Sequence, residues 1–170
     1  GSEMCIRDSS EITKENVAKA IADYERTRMS GNSPYDKWKA GDEKAVSSEV
    51  KKGDELFFGK AQCNNCHLGS NFTDNLFHNL GVGWNEKSKS FADLGRSKIS
   101  SKPEDTGAFK TPTIREVNKH APFMHDGSIK TLEEVVEHYN KGGNKNPFLD
   151  PKLMKLKLTK KAVSYTHLRA

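Results

Sequence analysis

Apolar residues fall at helical spacing in three stretches of this chain. Val17, Ile21, Tyr24 and Arg28 share one face, with Ala18 and Ala20 alongside, and Thr13 is placed to cap the helix they predict. Gly31, Asn32, Ser33 and Pro34 end it. A polar connector is expected over 35–45, containing Trp38. Ser47 then opens a second helix with Val50, Gly53, Leu56 and Phe57 along one stripe. Gly53 costs that helix about 1 kcal/mol against alanine, which is tolerable where another helix crosses closely. A third helix starts at Thr131, where Glu134 completes a capping box. Its stripe of Leu132, Val135, Val136 and Tyr139 turns the phenol inward, and Gly142-Gly143 closes it. The stretch 149–158 mixes apolar and basic residues and reads as the start of another helix.

Between the second and third helices the pattern fails. Residues 67–109 show no clear period, are punctuated by glycines, and contain few strand-like runs. So long an irregular segment is unusual in a small domain unless it packs on something other than itself. Composition points the same way, with 34% hydrophobic and 30% charged residues giving a thin core. The formal charge of +5 is dispersed among acids, as at Lys51-Lys52-Gly53-Asp54-Glu55. No basic run is interleaved with stacking aromatics, which argues against nucleic acid as a partner. The basic cluster from Lys145 to Lys161 reads as solvated surface, or as a ring around a docking face for an acidic redox protein. No stretch is apolar enough to span a membrane.

The chemistry is carried by Cys63-Asn64-Asn65-Cys66-His67. Two thiols three positions apart followed directly by histidine match the attachment site of a c-type haem, with His67 as axial ligand. A zinc site would need a second ligand pair, and a thioredoxin-like pair would need a βαβ context. A disulfide closing so small a loop would stabilise little. Two residues compete for the other axial position. Met124 lies in the loop 121–127 and would raise the potential; Tyr139 lies on the inward helix face and would lower it. Arg96 and Arg115 are candidate propionate partners and read equally well as exposed surface arginines. His78, His120, His125 and His138 read as surface or propionate-contacting residues.

Both ends look foreign to the rest. Residues 1–10 and 162–170 resemble translated sequencing-adapter sequence and are set aside, and Cys5 leaves the cysteine count with them. What remains is one small domain, expected to be a fragment of a longer protein.

Leu56-Phe57-Phe58-Gly59, the CxxCH, Phe109 to Arg115, Ala121 to Gly127 and Leu132 to Gly143 resemble, in the same order, the bacterial di-haem cytochrome c peroxidase family, which includes MauG-like proteins. The resemblance implies an all-α, cytochrome c-like domain with long haem-packing loops, truncated at both ends. Residues 11–45 would be the end of a preceding domain and its linker. Residues 46–161 would be the second haem domain without its last helix, and therefore poorly stable alone. It implies one covalent haem c tethered by Cys63 and Cys66, with Tyr139 favoured over Met124 opposite His67. It also implies a calcium ion held by the His120 and Pro122 carbonyls and by the missing N-terminal haem domain.

The expected function is electron transfer within a periplasmic peroxidase that reduces hydrogen peroxide to water. A small cytochrome c or blue copper protein would be the donor, and no catalytic acid–base residue lies in this chain. The alternatives are a MauG-like oxidase of a partner protein and a freestanding mono-haem carrier. Ala61 and Gln62, just before Cys63, supply no aromatic through which a MauG-like protein could pass oxidising equivalents.

Overall fold

A computed structural model describes residues 11–28 and 30–165 of the chain. Residues 1–10 and 166–170 of the segments set aside as adapter-derived, Cys5 among them, lie outside the described residues. The chain divides into two compact units, 1–33 and 34–170.

The first unit is helix α1, Lys14–Thr27. It begins where the capping pattern predicts, with the Asn16 N–H donating to the Thr13 hydroxyl at 3.1 Å. No residue of α1 is buried, and Val17, Ile21 and Tyr24 keep their shared apolar stripe largely exposed.

The second unit opens with α2, Pro34–Lys39, where the sequence pattern suggested only a connector. Pro34 sits comfortably in the first helical turn, and the helix is held from outside itself. Tyr35 is buried and donates its hydroxyl to Asp54 at 2.8 Å, while Lys39 donates to the other carboxylate oxygen at 2.7 Å. Asp54 belongs to α3, Ser48–Phe58, capped by the Ser47 hydroxyl and buried along Gly53, Asp54 and Phe57. Gly59 ends α3, its N–H donating to Glu55 at 2.9 Å.

The all-α expectation is wrong. Two small antiparallel sheets occupy the stretch that lacked a period. Strand β1, Phe77–Asn79, pairs with β4, Ala108–Lys110, in the register His78 opposite Phe109. Strand β2, Trp84–Asn85, pairs with β3, Ser90–Phe91, and sets Trp84 against Phe91 at a tilt of 58° with ring centroids 5.0 Å apart. Strands of two or three residues are too short to write an alternating pattern. Side chains hold them instead. Asn79, only 2% exposed, donates to the Thr106 carbonyl at 2.6 Å and accepts from the Gly81 N–H at 2.7 Å and from Asn146 at 3.2 Å. Gly81 completes this corner at φ +76°, where an added Cβ would lie 2.1 Å from the Asn144 carbonyl oxygen.

A short helix α4, Ser97–Ser100, follows β3. Helix α5, Leu132–Asn140, starts with the predicted capping box and stops at Gly142 and Gly143, whose N–H groups return to Tyr139 and His138. The stretch 149–158 forms turns and extended chain rather than a helix. Asn140 captures it, accepting from the Leu158 N–H at 2.8 Å through its side chain and from the Leu156 N–H at 3.1 Å through its backbone. A last helix, α6, Lys160–Tyr165, runs into the segment set aside at the C-terminal end and packs on α3 and α5.

The apolar core is small: Tyr35, Phe57, Ala61, Val82, Phe91, Ala108 and Leu158 are the buried hydrophobic residues among those described. Asp54, His78, Asn79 and Thr111 are buried with them. Replacing Asn79 by alanine strands the buried Gly81 N–H and takes a partner from the half-buried Thr106 carbonyl and Asn146 amide. Asn79→Ala should cost about 2–3 kcal/mol, read as a lowered denaturant midpoint at unchanged slope.

Candidate haem-attachment site

The CxxCH segment leaves α3 through Ala61 and Gln62. Gln62 takes left-handed φ 52°, which turns the chain into a single 3-10 turn, Cys63–Asn65. Within that turn the Cys66 N–H and the His67 N–H both return to the Cys63 carbonyl, at 3.3 and 2.9 Å. The two thiols are half-buried and not bonded to each other. Burial pushes the Cys63 thiol up to about 11 and raises Cys66 as well, so both stay protonated at neutral pH.

His67 is oriented from behind. Its Nδ1 lies 2.9 Å from the Phe72 carbonyl oxygen. With Nδ1 donating there, the neutral ring keeps its lone pair on Nε2, the tautomer that binds a metal. Burial lowers the imidazole pKa and keeps the ring neutral, against the opposing pull of the Phe72 carbonyl.

Of the two candidates for the second axial position, Tyr139 is brought to the motif. It is half-buried on α5, and burial raises its phenol with a further push from Cys63 and Cys66 nearby. Met124 is half-buried in a turn, at φ 70°, closed by the Gly127 N–H donating to its carbonyl at 3.3 Å.

Two observations bear on whether a haem suits this place. Leu68, Leu76, Phe77, Leu94 and Ile99 all remain 39–77% exposed along the irregular segment, apolar surface with little protein to cover it. And Tyr139, on α5, is near enough to feel both thiols of the motif turn, which His67 follows directly. The residues fit a covalently tethered haem.

The sequence profile of the di-haem cytochrome c peroxidase family matches residues 3–44. The methylamine utilization protein MauG of Methylorubrum extorquens is 43% identical over 141 residues, covering 81% of this chain and 38% of that protein. Cytochrome-c peroxidase IdrP1 of Denitromonas iodatirespirans is 38% identical, covering 82% of this chain and 44% of its own length. The chain belongs to the di-haem cytochrome c peroxidase and MauG-like family. Among solved structures, a MauG-like protein associated with microbial copper homeostasis superposes with TM-score 0.78 at 27% identity, over 94% of this chain and 56% of that one. The chain thus spans about two fifths of the curated relatives it matches.

Against that family pattern, the two arginines are otherwise engaged. Arg115 forms a bidentate pair with Asp36, both contacts at 3.0 Å, and donates Nε to the Ser70 carbonyl at 2.7 Å. Arg96 lies over the Phe77 ring, 4.5 Å from its centroid. His125 stacks flat on Phe109 at 3.5 Å, and His138 meets the Leu80 carbonyl at 3.0 Å.

The residue that sequence reasoning missed is His78, which it placed at the surface or on a propionate. It is buried between two carboxylates, with Nε2 2.9 Å from Asp74 and Nδ1 2.6 Å from Asp150. Asp74 in turn donates its N–H to the Cys66 carbonyl at 2.8 Å, so this clamp reaches the motif itself. Cys66, Asp74 and His78 also have ligand atoms within 4.8 Å of one another, close enough to share an ion. Both His78 nitrogens are already taken by carboxylates, however, and Cys66 belongs to the CxxCH motif.

Burial alone would push the Asp74 carboxyl up. The Leu76 N–H, His78 and Thr111 outweigh it and hold the group down to about 2. A carboxyl whose folded value lies below its ordinary value near 3.9 stabilises the fold above that ordinary value, and the contribution drains away as pH falls towards 2. About 2 kcal/mol should therefore be lost between pH 4 and pH 2, measured by denaturant unfolding. Asp74→Asn should flatten that pH dependence.

Proposed function

We propose that this chain is the electron-transfer haem domain of a di-haem peroxidase that reduces hydrogen peroxide to water. The observation that carries the reading is the CxxCH turn, with two unpaired thiols beside an imidazole whose Nδ1 is tied to a backbone carbonyl. Cys63 and Cys66 would hold haem c as thioethers, His67 Nε2 would ligate the iron, and Tyr139 would be its second axial ligand. When bound, the haem supplies a one-electron couple.

The chain's own residues do the rest. The Phe72 carbonyl fixes the His67 tautomer and ring orientation. The Asp74–His78–Asp150 clamp steadies the loop that follows the motif. A phenolate ligand favours ferric iron and lowers the potential, which suits a group that passes electrons onward. A small cytochrome or copper protein would be the donor, and a second haem domain the acceptor. Covalent haem attachment takes place outside the bacterial cytoplasm, so the reading carries a periplasmic location. Among the described residues no helix is long and apolar enough to cross a membrane. The calcium ion belongs to the same reading, with the His120 and Pro122 carbonyls as this chain's contribution.

One observation favours a second reading, a MauG-like oxidase of a partner protein. Tyr139 lies beside the thiols, and 43% identity links the chain to MauG.

Expressed with a haem-maturation apparatus, the polypeptide should keep its pigment through denaturation and acidified solvent extraction. The double variant Cys63→Ser, Cys66→Ser should release it; pigment washing from the parent protein would sink the reading. Tyr139→Phe should change the visible spectrum and raise the potential by on the order of 0.1 V. A weak far-red band in the parent, together with no response to Tyr139→Phe, would assign the ligand to Met124 instead. Peroxide consumed with a small reductant supports the peroxidase; oxidation of a partner's aromatic residues supports the oxidase.

A further inference from the structure

Both nitrogens of His78 face a carboxylate, and this raises a question of proton count. Nε2 lies 2.9 Å from Asp74 and Nδ1 2.6 Å from Asp150. A neutral imidazole carries one N–H, and an ionised carboxylate can only accept. A hydrogen bond at each nitrogen therefore requires two protons across the three groups. That is one more than a neutral ring and two carboxylates supply. The other carboxylate oxygens are met by the backbone, Asp74 by the Leu76 N–H at 2.9 Å and Asp150 by the Lys152 N–H at 2.8 Å. With the extra proton the triad carries one net negative charge; without it, two.

This charge stands against the motif. Cys66 Sγ, an Asp74 carboxylate oxygen and a His78 nitrogen lie within 4.8 Å of one another. Asp150 and Lys152 also face Cys66, with opposite signs. Asp74 and His78 both face His67. Strand β4 sets uncharged Phe109 opposite His78, with exposed Lys110 next along it. Glu104 and Asp105, on the turn Pro103–Asp105, line a cavity with Phe77 and Asn79, which point to the other face of β1. His78 is only 9% exposed, so solvent screens the triad weakly.

We propose that the Asp74–His78–Asp150 triad binds one extra proton, shared among its three groups, and exchanges it as the haem is reduced and oxidised. The inference rests on the reading of this chain as a c-type haem domain. When an electron arrives from the donor, the triad takes one proton from solvent, and its net negative charge falls from two to one. When the electron passes to the second haem, the proton returns to solvent. Electron and proton arrive and leave together, so the net charge beside the motif does not change. Ferric iron disfavours the proton, and by linkage a loss of the proton disfavours ferrous iron. The potential should therefore fall as pH rises.

The test follows this haem's absorbance under applied potentials in the full-length, haem-loaded protein, between about pH 5 and pH 9. In the parent the ferrous-to-ferric ratio at a fixed potential should fall severalfold as pH rises. Asp150→Asn keeps both contacts without the extra proton, because an amide both donates and accepts. That variant should lose the pH response and hold, at high pH, the ratio the parent shows at low pH. In weakly buffered solution, reduction should take up more protons in the parent than in Asp150→Asn. His78→Gln serves as a second variant, and an unchanged resting spectrum identifies the folded ones. A parent ratio that ignores pH, or a response that persists in a folded variant, overturns the proton exchange alone. Haem that washes from the parent in acidified solvent overturns the haem-domain reading, and the exchange with it.

Discussion

The domain is organised around a buried histidine gripped by two half-buried carboxylates. His78 belongs to β1, Asp74 to the loop leaving the CxxCH motif, and Asp150 to the turn before the extended C-terminal stretch. Two distant parts of the chain, 74–78 and the turn at Asp150, thus meet in one ring. Two carboxylates with so little access to water are costly unless partnered, and one ring meets both, a nitrogen to each. The same segments are tied again by backbone bonds, Asp74 N–H to Cys66 and Asp150 N–H to Asn79. Polar contact, rather than apolar contact, ties the motif to the sheet.

That dependence follows from how little apolar material is inside. No large side chain among the described residues is fully buried, and polar groups share the centre with the hydrophobic ones. A chain with 34% hydrophobic residues has few alternatives. Asparagines take over part of the work, buried Asn79 closing the corner around Gly81 and half-buried Asn140 binding the C-terminal stretch. Networks of this kind hold only when every member is satisfied, and they specify one arrangement where loose apolar packing would allow several. The exposed leucines and Phe77 on the irregular segment make sense beside them. They are surface that a large flat cofactor can cover, while the polar network keeps the loops in shape around it.

Helix starts were legible because their signals are local. Thr13, Ser47 and Thr131 each accept the backbone N–H that their sequence context assigns to them. The CxxCH motif was equally plain, because spacing alone defines it. What was hidden depends on partners far along the chain. Helix α2 looks like a polar connector until Asp54, nineteen residues on, takes up Tyr35. Arg115 looks free for a propionate until Asp36 occupies its fork, seventy-nine residues away. His78 resembles any surface histidine until Asp150 is folded onto it. The strands escaped for a different reason: pairs of two or three residues, held by side-chain hydrogen bonds, leave no periodic trace.

These misses share a location. Asp36, Tyr35, Arg115, Asp74 and His78 all lie around the loop that runs from Cys66 to Leu76. Arg115 reaches its Ser70 carbonyl, Tyr35 packs on its Phe72 ring, and Asp74 carries its far end to His78. The Phe72 carbonyl orients the His67 ring, and a loop without regular structure needs outside contacts to hold that carbonyl in place. Long-range polar and aromatic contacts do so here. The imprecision of sequence reading in this region and the precision of the fold there have one origin: the loop is positioned by residues that come to it from elsewhere.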